Sequence, residues 1–95
     1  MQIVTESETT VWKFPLRVDD TQTIEMPSGS EVLCVQNQSD TPTLWARVPN
    51  VHAPMMERKF HLIGTGHQAG TRDLRQYIGT VQIMGGMLVF HVFES

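Results

Sequence analysis

The C-terminal part of the chain consists of two strand-like segments on either side of the glycine pair Gly85-Gly86. Two glycines can adopt the positive φ angles that a two-residue hairpin turn requires. A period of two then sends successive side chains to opposite faces of a sheet. We therefore predict a terminal hairpin with one apolar core face, on which Gly79 leaves room beside Val92. The predicted pairs are Met84 with Met87, Gln82 with Val89 and Thr80 with His91, and the core face holds Val81, Ile83, Leu88, Phe90 and Val92.

The same period of two recurs earlier in the chain. Apolar residues alternate with polar ones from Trp12 to Val18, and a short strand is expected over residues 23–26. A second hairpin is predicted to join residues 31–38 to residues 43–48 through a turn at residues 39–42, with Gln38 opposite Thr43. Its core face is predicted to hold Leu33, Val35, Ala46 and Val48.

A further strand is predicted over residues 58–63, after a loop at residues 49–54. Phe60 and Leu62 are in phase with the core, and Lys59, His61 and Ile63 point the other way. Residues 71–74 are compatible with one helical turn, but the segment is too short for a longer helix. The predicted fold class is all-β: a small antiparallel sandwich or open barrel of six or seven strands, with at most one short helical turn.

Length, charge and cysteine content limit the function classes. Ninety-five residues form one small domain, with a flexible arm predicted at residues 1–10 and a β domain at residues 11–95. The lone Cys34 excludes an intrachain disulfide and a cysteine-based zinc site. Without a signal-like start or a bilayer-length apolar run, we expect a cytosolic protein with no membrane partner. A net charge of −3 without a basic stripe argues against duplex DNA binding.

The second face of the terminal hairpin is too apolar for a face that only meets water. We expect a second sheet, another subunit or a ligand to cover it. Because small domains often gain burial by self-association, we predict a homo-oligomer. The predicted interface consists of Met84, Met87, Val89, His91 and Phe93.

A glycine-rich turn at residues 64–67 leaves the strand at residues 58–63 and is followed by two arginines. Glycine amides, a hydroxyl, an imidazole and arginine forks can converge on a small anion such as a phosphate. The turn lacks the Lys-Ser or Lys-Thr of a P-loop, and it is not a dinucleotide fingerprint. The competing interpretation is an ordinary strand-ending turn with surface arginines. The predicted ligand contacts here are Gly64, Thr65, Gly66, His67, Arg72, Arg75 and, from the preceding strand, His61.

Three other groups of residues are weaker candidates for a functional site. Trp45 and Arg47 could stack on a planar ligand, although a tryptophan under an arginine stem is a common cross-strand pair. His61, His67 and His91 lack metal-ligand spacing, so no metal or cofactor is predicted. His67 with Thr65 or Ser95 resembles a nucleophile and base, but no orienting acid or elbow motif accompanies them. We therefore expect no catalysis.

Several segments together carry a family resemblance: residues 22–27, 32–36, 44–46, 57–58, 63–67, 77–80 and 89–94. The most specific are Gly-Thr-Gly-His at residues 64–67 and Gly-Gly-Met-Leu-Val-Phe-His at residues 85–91. Through these segments the chain resembles a family of short phage and prophage proteins classed as a domain of unknown function. The resemblance extends from about Thr10 to Glu94. The resemblance implies a virus-encoded accessory protein in a bacterial host cytoplasm, and it supplies no catalytic residues.

Two function classes are consistent with these features. In the first, a non-catalytic counter-defence protein sequesters a small anionic host signal of nucleotide type at the glycine turn. In the second, the apolar hairpin face docks on a host defence or replication enzyme and inhibits it. A virion or assembly component is a weaker third alternative. A ligand-binding protein needs a concave pocket, whereas an inhibitor needs an exposed apolar patch with a polar rim.

Overall fold

The computed structural model describes residues 9–95, which form seven strands in two antiparallel sheets. The strands are β1 (Thr10–Pro15), β2 (Thr21–Pro27), β3 (Glu31–Gln38), β4 (Thr41–Val48), β5 (Met55–Gly64), β6 (Gln76–Ile83) and β7 (Leu88–Glu94). The sheets have the orders β1-β4-β3 and β2-β5-β7-β6. Within residues 9–95 the single helical element is a 3-10 turn at Met84–Gly86, so the predicted all-β fold is confirmed. Of the predicted arm, residues 1–8 lie outside the described part, and Thr10 already belongs to β1.

The core lies between the two sheets and consists of their facing apolar side chains. The predicted pairing of Gly79 with Val92 is confirmed. The space that this glycine leaves is filled by Val35 of the facing sheet, because a Cβ atom at position 79 would lie 3.0 Å from Val35 Cγ1. Eight predicted core residues are buried: Val35, Ala46, Val48, Phe60, Leu62, Val81, Ile83 and Val92.

Strands β3 and β6 lie side by side at the edges of the two sheets, and side chains connect them. Asn37 Nδ2 donates to the Gln82 carbonyl at 2.9 Å. At the adjacent hairpin ends, the Met84 N–H donates to Asp40 Oδ1 at 2.6 Å. These bonds connect the three-stranded and four-stranded sheets along one side.

A β-bulge in β3 changes the face on which two of its side chains lie. The register against β4 shifts between Val32 and Cys34, so one extra residue, Leu33, is inserted into the strand. Val32 joins the core side, opposite Ala46, whereas Leu33 is 49% exposed. The prediction that Leu33 is a core residue is therefore wrong, because simple alternation does not account for the bulge.

A second bulge, in β6, determines the outer surface of the four-stranded sheet. The register against β7 shifts between Tyr77 and Gly79. Simple alternation back from Thr80 would place Ile78 on the second face of the hairpin, but Ile78 packs against the core. Tyr77 and Thr80 consequently share the face that points away from the core, which we call the outer face.

The hairpin between β3 and β4 is tighter than predicted. Gln38 pairs with Thr41, not with Thr43, so the loop contains only Ser39 and Asp40. Both loop residues have positive φ, 50° and 65°, as two-residue hairpin loops require. The Asn37 side chain supports this turn because its Oδ1 accepts the Asp40 N–H at 2.8 Å. Neither loop residue is a glycine, so no residue type signals the positive φ angles here.

The terminal hairpin has the predicted register but a longer turn. The pairs Gln82 with Val89 and Thr80 with His91 are confirmed. The last ladder pair is Ile83 with Leu88. Met84 and Met87 lie beyond it, joined by a Met87 N–H bond to the Met84 carbonyl at 3.1 Å. Leu88, predicted as core, is 37% exposed because it lies at this open end of the sheet.

One further local prediction, a strand that continues to Val18, is wrong. Strand β1 ends at Pro15, and Val18 is 51% exposed. The chain turns there because the buried Gln22 side chain bonds both the N–H and the carbonyl of Arg17, at 2.9 and 2.7 Å. Residues 71–74 form no helical turn. Instead, the Arg72 N–H bonds the Ala69 carbonyl across a tight turn.

Candidate functional site

The glycine turn, residues 64–67, begins where β5 ends. The His67 N–H donates to the Gly64 carbonyl at 2.9 Å and closes the turn. Gly66 has a φ of 85°, a conformation that side-chain-bearing residues rarely adopt. The Thr65 N–H reaches the Val89 carbonyl at 3.4 Å, which fixes the turn against β7. The turn therefore depends on a residue without a side chain at position 66.

Beside this turn, on the outer face, lies a hollow of about 350 Å³, which we call the outer hollow. Its apolar surface comes from β5, β7 and the loop that follows the glycine turn, and its polar groups are one hydroxyl and two imidazoles. Ligand pockets commonly measure about 300–1,000 Å³ and combine an apolar lining with a few polar groups. The lining residues are Ile63, Gly64, Thr65, Gly66, His67, Ala69, Leu74, His91 and Phe93.

The loop over the outer hollow is held by the guanidinium group of Arg72. Its Nε donates to the Ala69 carbonyl at 2.9 Å, and its Nη1 donates to the carbonyls of Asp20 and Leu62, each at 2.9 Å. Its Nη2 donates to the Gln68 carbonyl at 3.2 Å. Four of the five N–H donors of an arginine are therefore engaged by backbone. We predicted Arg72 as a ligand contact, but the structure gives it an architectural role.

Arg75 does not line the outer hollow either. Its side chain is 76% exposed, and its Nε bonds Asp73 Oδ2 at 2.7 Å. It follows Leu74, which does line the hollow. An exposed ion pair of this kind is worth little energetically, so Asp73 does not hold the guanidinium of Arg75 firmly.

His61 lies on the outer face but is only 3% exposed. Its Nδ1 lies 2.9 Å from Thr21 Oγ1, and its Nε2 lies 2.9 Å from Ser95 Oγ. Burial lowers the pKa of His61, and the positive charges of Arg72 and Lys59 lower it further. Both ring nitrogens already have partners, so this predicted ligand contact is a buried, hydrogen-bonded histidine outside the outer hollow.

His91 is the centre of a hydrogen-bonded chain that crosses the outer face. Its Nε2 lies 2.8 Å from Thr65 Oγ1, in the wall of the outer hollow, and its Nδ1 lies 2.9 Å from Thr80 Oγ1. Thr80 Oγ1 in turn lies 2.6 Å from the Tyr77 hydroxyl. Simple alternation predicts that Thr80 lies opposite His91, but it does not place Tyr77 on the same face, although a glycine within a strand, such as Gly79, is a known signal of a bulge.

A smaller hollow of about 200 Å³ lies on the other side of the glycine turn. It shares Gly64, Thr65 and His67 with the outer hollow and adds Met87 and the first residues of β7. The His67 ring lies against Gly64 so closely that a Cβ atom there would be 2.9 Å from Nδ1. His67 is thus positioned between the two hollows. The added lining residues are Met87, Leu88, Val89 and Phe90.

Two predicted ligand contacts lie away from the glycine turn. Trp45 and Arg47 belong to β4, in the three-stranded sheet, and Arg47 forms an exposed ion pair with Glu31. The structure therefore does not combine them with residues 64–67. The same sheet carries a separate polar hollow of about 390 Å³, lined by Lys13, Pro15, Gln38, Ser39, Thr41 and Thr43.

The predicted interface residues divide into two groups. Met84 and Met87 are 50% and 80% exposed at the end of the terminal hairpin. Val89, His91 and Phe93 are half-buried, and the last two line the outer hollow. We call Met84, Met87 and the neighbouring Leu88 the hairpin tip.

The hydroxyl and imidazole groups do not form the pairs that we considered for catalysis. Thr65 is bonded to His91, and Ser95 is bonded to His61. Within residues 9–95, no group of three or more histidine, cysteine, aspartate or glutamate side chains is arranged to hold a metal ion. The one short helical turn of these residues is neither long nor apolar enough to cross a membrane.

A family model described as "Domain of unknown function (DUF7352)" matches residues 7–95 of the chain. The chain therefore belongs to this family, and the expected membership of a domain family of unknown function is confirmed. No curated protein and no solved structure matches the chain. The candidate site must consequently be interpreted from its own geometry.

Proposed function

We propose that this member of the DUF7352 family is a non-catalytic binding protein that holds a small anionic ligand of nucleotide type in the outer hollow. The observation that carries the proposal is the composition of this hollow. An apolar lining that includes Ile63, Leu74 and Phe93 lies next to the hydroxyl of Thr65 and the imidazoles of His67 and His91. A planar ring fits the apolar part, and an anion fits the polar part.

The contacts differ from those expected from the sequence. Arg72 holds the loop, so the anion would be bound by Thr65 and His67, with Arg75 exchanging its exposed Asp73 partner for the ligand. The ring would lie beside Phe93, since aromatic rings prefer offset or tilted contacts with one another. Gly66 leaves the backbone accessible at the rim, because it has no side chain and nothing lies within 4 Å of its missing Cβ.

The absence of a catalytic role is part of the proposal. In a nucleophile–histidine pair, the second ring nitrogen normally bonds a carboxylate that orients the ring and stabilises its charged form. The Thr65–His91 pair instead continues to the neutral hydroxyl of Thr80. This arrangement is suited to holding a ligand by hydrogen bonds rather than to activating Thr65.

The biological setting comes from the resemblance to phage and prophage proteins. A small virus-encoded protein in a bacterial host cytoplasm can act against a nucleotide signal of host defence simply by sequestering it. Sequestration requires affinity and abundance but no reaction. This agrees with a site that has an apolar lining and hydrogen-bond donors and lacks a charged catalytic pair.

A protein partner is the second candidate, and the hairpin tip favours it. Met84, Met87 and Leu88 are all exposed and adjacent, and clustered exposed apolar side chains often mark interaction sites. The partner would be a second copy of this chain, as in the proposed homo-oligomer, or a host enzyme inhibited by docking. A virion or assembly role would use the same surface.

A thermal-shift screen with a site variant tests the main proposal. The panel contains ordinary nucleotides, cyclic dinucleotides and isomers of cyclic ADP-ribose at rising concentration. A ligand that binds the folded state raises the melting temperature by mass action. We expect a shift that is reduced in His67→Ala and retained in Lys13→Ala, which alters the separate polar hollow. The proposal fails if no nucleotide shifts the melting temperature, or if Lys13→Ala loses the shift and His67→Ala keeps it.

A further inference from the structure

We propose that the chain of hydrogen bonds from Tyr77 through Thr80 and His91 makes Thr65 a hydrogen-bond donor toward the outer hollow. The hollow then favours a ligand that places an acceptor, such as a phosphate oxygen, beside Thr65. This inference rests on the proposed function, because it names the recognition chemistry of the same site. The ring nitrogen of His91 that carries the proton does not depend on a bound ligand.

In a neutral His91 the two ring nitrogens cannot play the same role. A neutral imidazole carries one N–H donor and one acceptor nitrogen. Since Nε2 faces Thr65 at 2.8 Å and Nδ1 faces Thr80 at 2.9 Å, one hydroxyl must donate to the ring and the other must accept from it. The direction of the whole chain is therefore set by whichever end is the stronger donor.

The phenol of Tyr77 sets the direction of hydrogen-bond donation along the chain. The aromatic ring draws electron density from the phenol oxygen, so a phenol donates a hydrogen bond more strongly, and accepts one more weakly, than an aliphatic hydroxyl. Tyr77 thus donates to Thr80 over their 2.6 Å contact. Thr80 then gives its own proton to Nδ1 of His91. The ring proton lies on Nε2 and is donated to Thr65 Oγ1, which leaves the Thr65 proton for the hollow.

The fold holds both ends of this chain in place. The bulge in β6 brings Tyr77 and Thr80 to the same face, three residues apart. The Tyr77 ring lies against Phe93, with centroids 5.5 Å apart and an interplanar angle of 58°. Phe93 itself lines the outer hollow. At the other end, the bond from the Thr65 N–H to Val89 fixes the backbone of the donor.

An aligned chain strengthens its last donor, because each bond polarises the next. A phosphate oxygen is the acceptor that gains most from such a donor, since charge-assisted hydrogen bonds are stronger than neutral ones. Thr65 is thereby a specificity-determining residue for the anionic part of the ligand. Tyr77 and Thr80 are positioning residues, because they act only through His91.

Nitrogen-15 NMR of the free protein tests the direction of the chain. At a pH where the spectrum shows a neutral His91, long-range proton–nitrogen correlations identify which ring nitrogen carries the proton. We expect the proton on Nε2, and a larger fraction on Nδ1 in Tyr77→Phe. A proton on Nδ1 in the wild type, or a tautomer ratio that Tyr77→Phe leaves unchanged, would overturn the inference. This measurement needs no ligand, so its outcome is independent of the proposed function.

Titration with adenosine monophosphate and with adenosine tests the consequence for recognition. We expect the phosphate-bearing probe to bind more tightly, with a loss of about tenfold in Thr65→Val, as for one lost charge-assisted hydrogen bond. Thr65→Ser keeps the hydroxyl and should retain most of the affinity. Equal binding of both probes, or equal affinity of the Val and Ser variants, would contradict donor recognition by Thr65. If neither probe binds, donor recognition of a phosphate by Thr65 is overturned, whereas the direction of the hydrogen-bond chain stands if the His91 proton lies on Nε2; the proposed function is decided separately by the thermal-shift panel.

Discussion

The backbone of Gly79 lies so close to Val35 that a Cβ atom at position 79 would be 3.0 Å from Val35 Cγ1. Val35 is itself buried, and its backbone lies 3.8 Å from the same point. The valine therefore has little room to move aside. A side chain at position 79 therefore requires Val35 or strand β6 to shift by a few tenths of an ångström.

We expect Gly79→Ala to lower the free energy of unfolding by about 1–3 kcal/mol, as for other overpacked core positions. Urea denaturation measures the change. In a Val35→Ala background the obstructing methyl groups are gone, so the same substitution should have a much smaller effect. A Gly79→Ala variant as stable as the wild type would show that the close approach of Gly79 to Val35 does not limit the size of the residue at position 79.

Arg72 should contribute far more to stability than Arg75. Arg72→Ala removes four bonds to backbone carbonyls, and hydrogen bonds to charged groups are worth about 1.5–3 kcal/mol each at most sites. We expect a loss of at least that size by urea denaturation, together with faster amide exchange in the loop.

Arg75→Ala is the matched control, because its side chain is exposed and bonds only Asp73 in the described contacts. Substitutions at such positions usually change stability by less than about 0.5 kcal/mol. Equal effects of the two substitutions would contradict the architectural role of Arg72.

His61 should make the stability of the protein depend on pH. Burial lowers its pKa in the folded state below the ordinary value of 6.5, so between the two values the unfolded chain binds more protons. The free energy of unfolding therefore rises with pH in this window. We expect the contribution of His61 to be fully present above about pH 6.5 and to decline as the pH falls toward the lowered pKa.

The difference between wild type and His61→Gln isolates this contribution. Urea denaturation from pH 7.5 to 5 should show a smaller decline in the variant than in the wild type. Parallel curves for wild type and His61→Gln would mean that His61 titrates normally in the folded protein.

The hairpin tip should control self-association. We expect the wild type to form an oligomer at micromolar concentration in light scattering, because Met84 and Met87 are exposed apolar side chains. A double substitution of these methionines by glutamate should give a monomer with unchanged circular dichroism. A monomeric wild type, or an oligomer that persists in the double variant, would contradict this prediction.

Alternation predicted the sheets well wherever the strands are regular. Phe60, Leu62, Val81 and Val92 are buried as expected, and the register of the terminal hairpin is correct at Thr80 and His91. The errors lie at interruptions of the period. Leu33 is exposed and Ile78 packs on the core because each lies at a bulge, and nothing in a period-two pattern fixes where an extra residue is inserted.

The candidate site was predictable only in part, for a similar reason. The glycine turn was predictable from the sequence, and all four of its residues, 64–67, line the outer hollow. Leu74, the one large apolar side chain in the loop at residues 65–75, could have indicated that the loop folds back on the sheet. The engagement of Arg72 by the carbonyls of Asp20 and Leu62 depends on distant segments, and a single sequence contains no local signal for such contacts.

The most direct test of the central claim is NMR mapping of the strongest nucleotide-type ligand from the thermal-shift panel on the labelled protein. We expect the largest amide shifts at residues 64–67, Ala69, Leu74, His91 and Phe93, which surround the outer hollow. Residues around Lys13 and Ser39, in the polar hollow of the other sheet, should not change. Shifts confined to that second hollow or to the hairpin tip, or no shifts at any ligand concentration, would contradict the proposal that the outer hollow is the binding site.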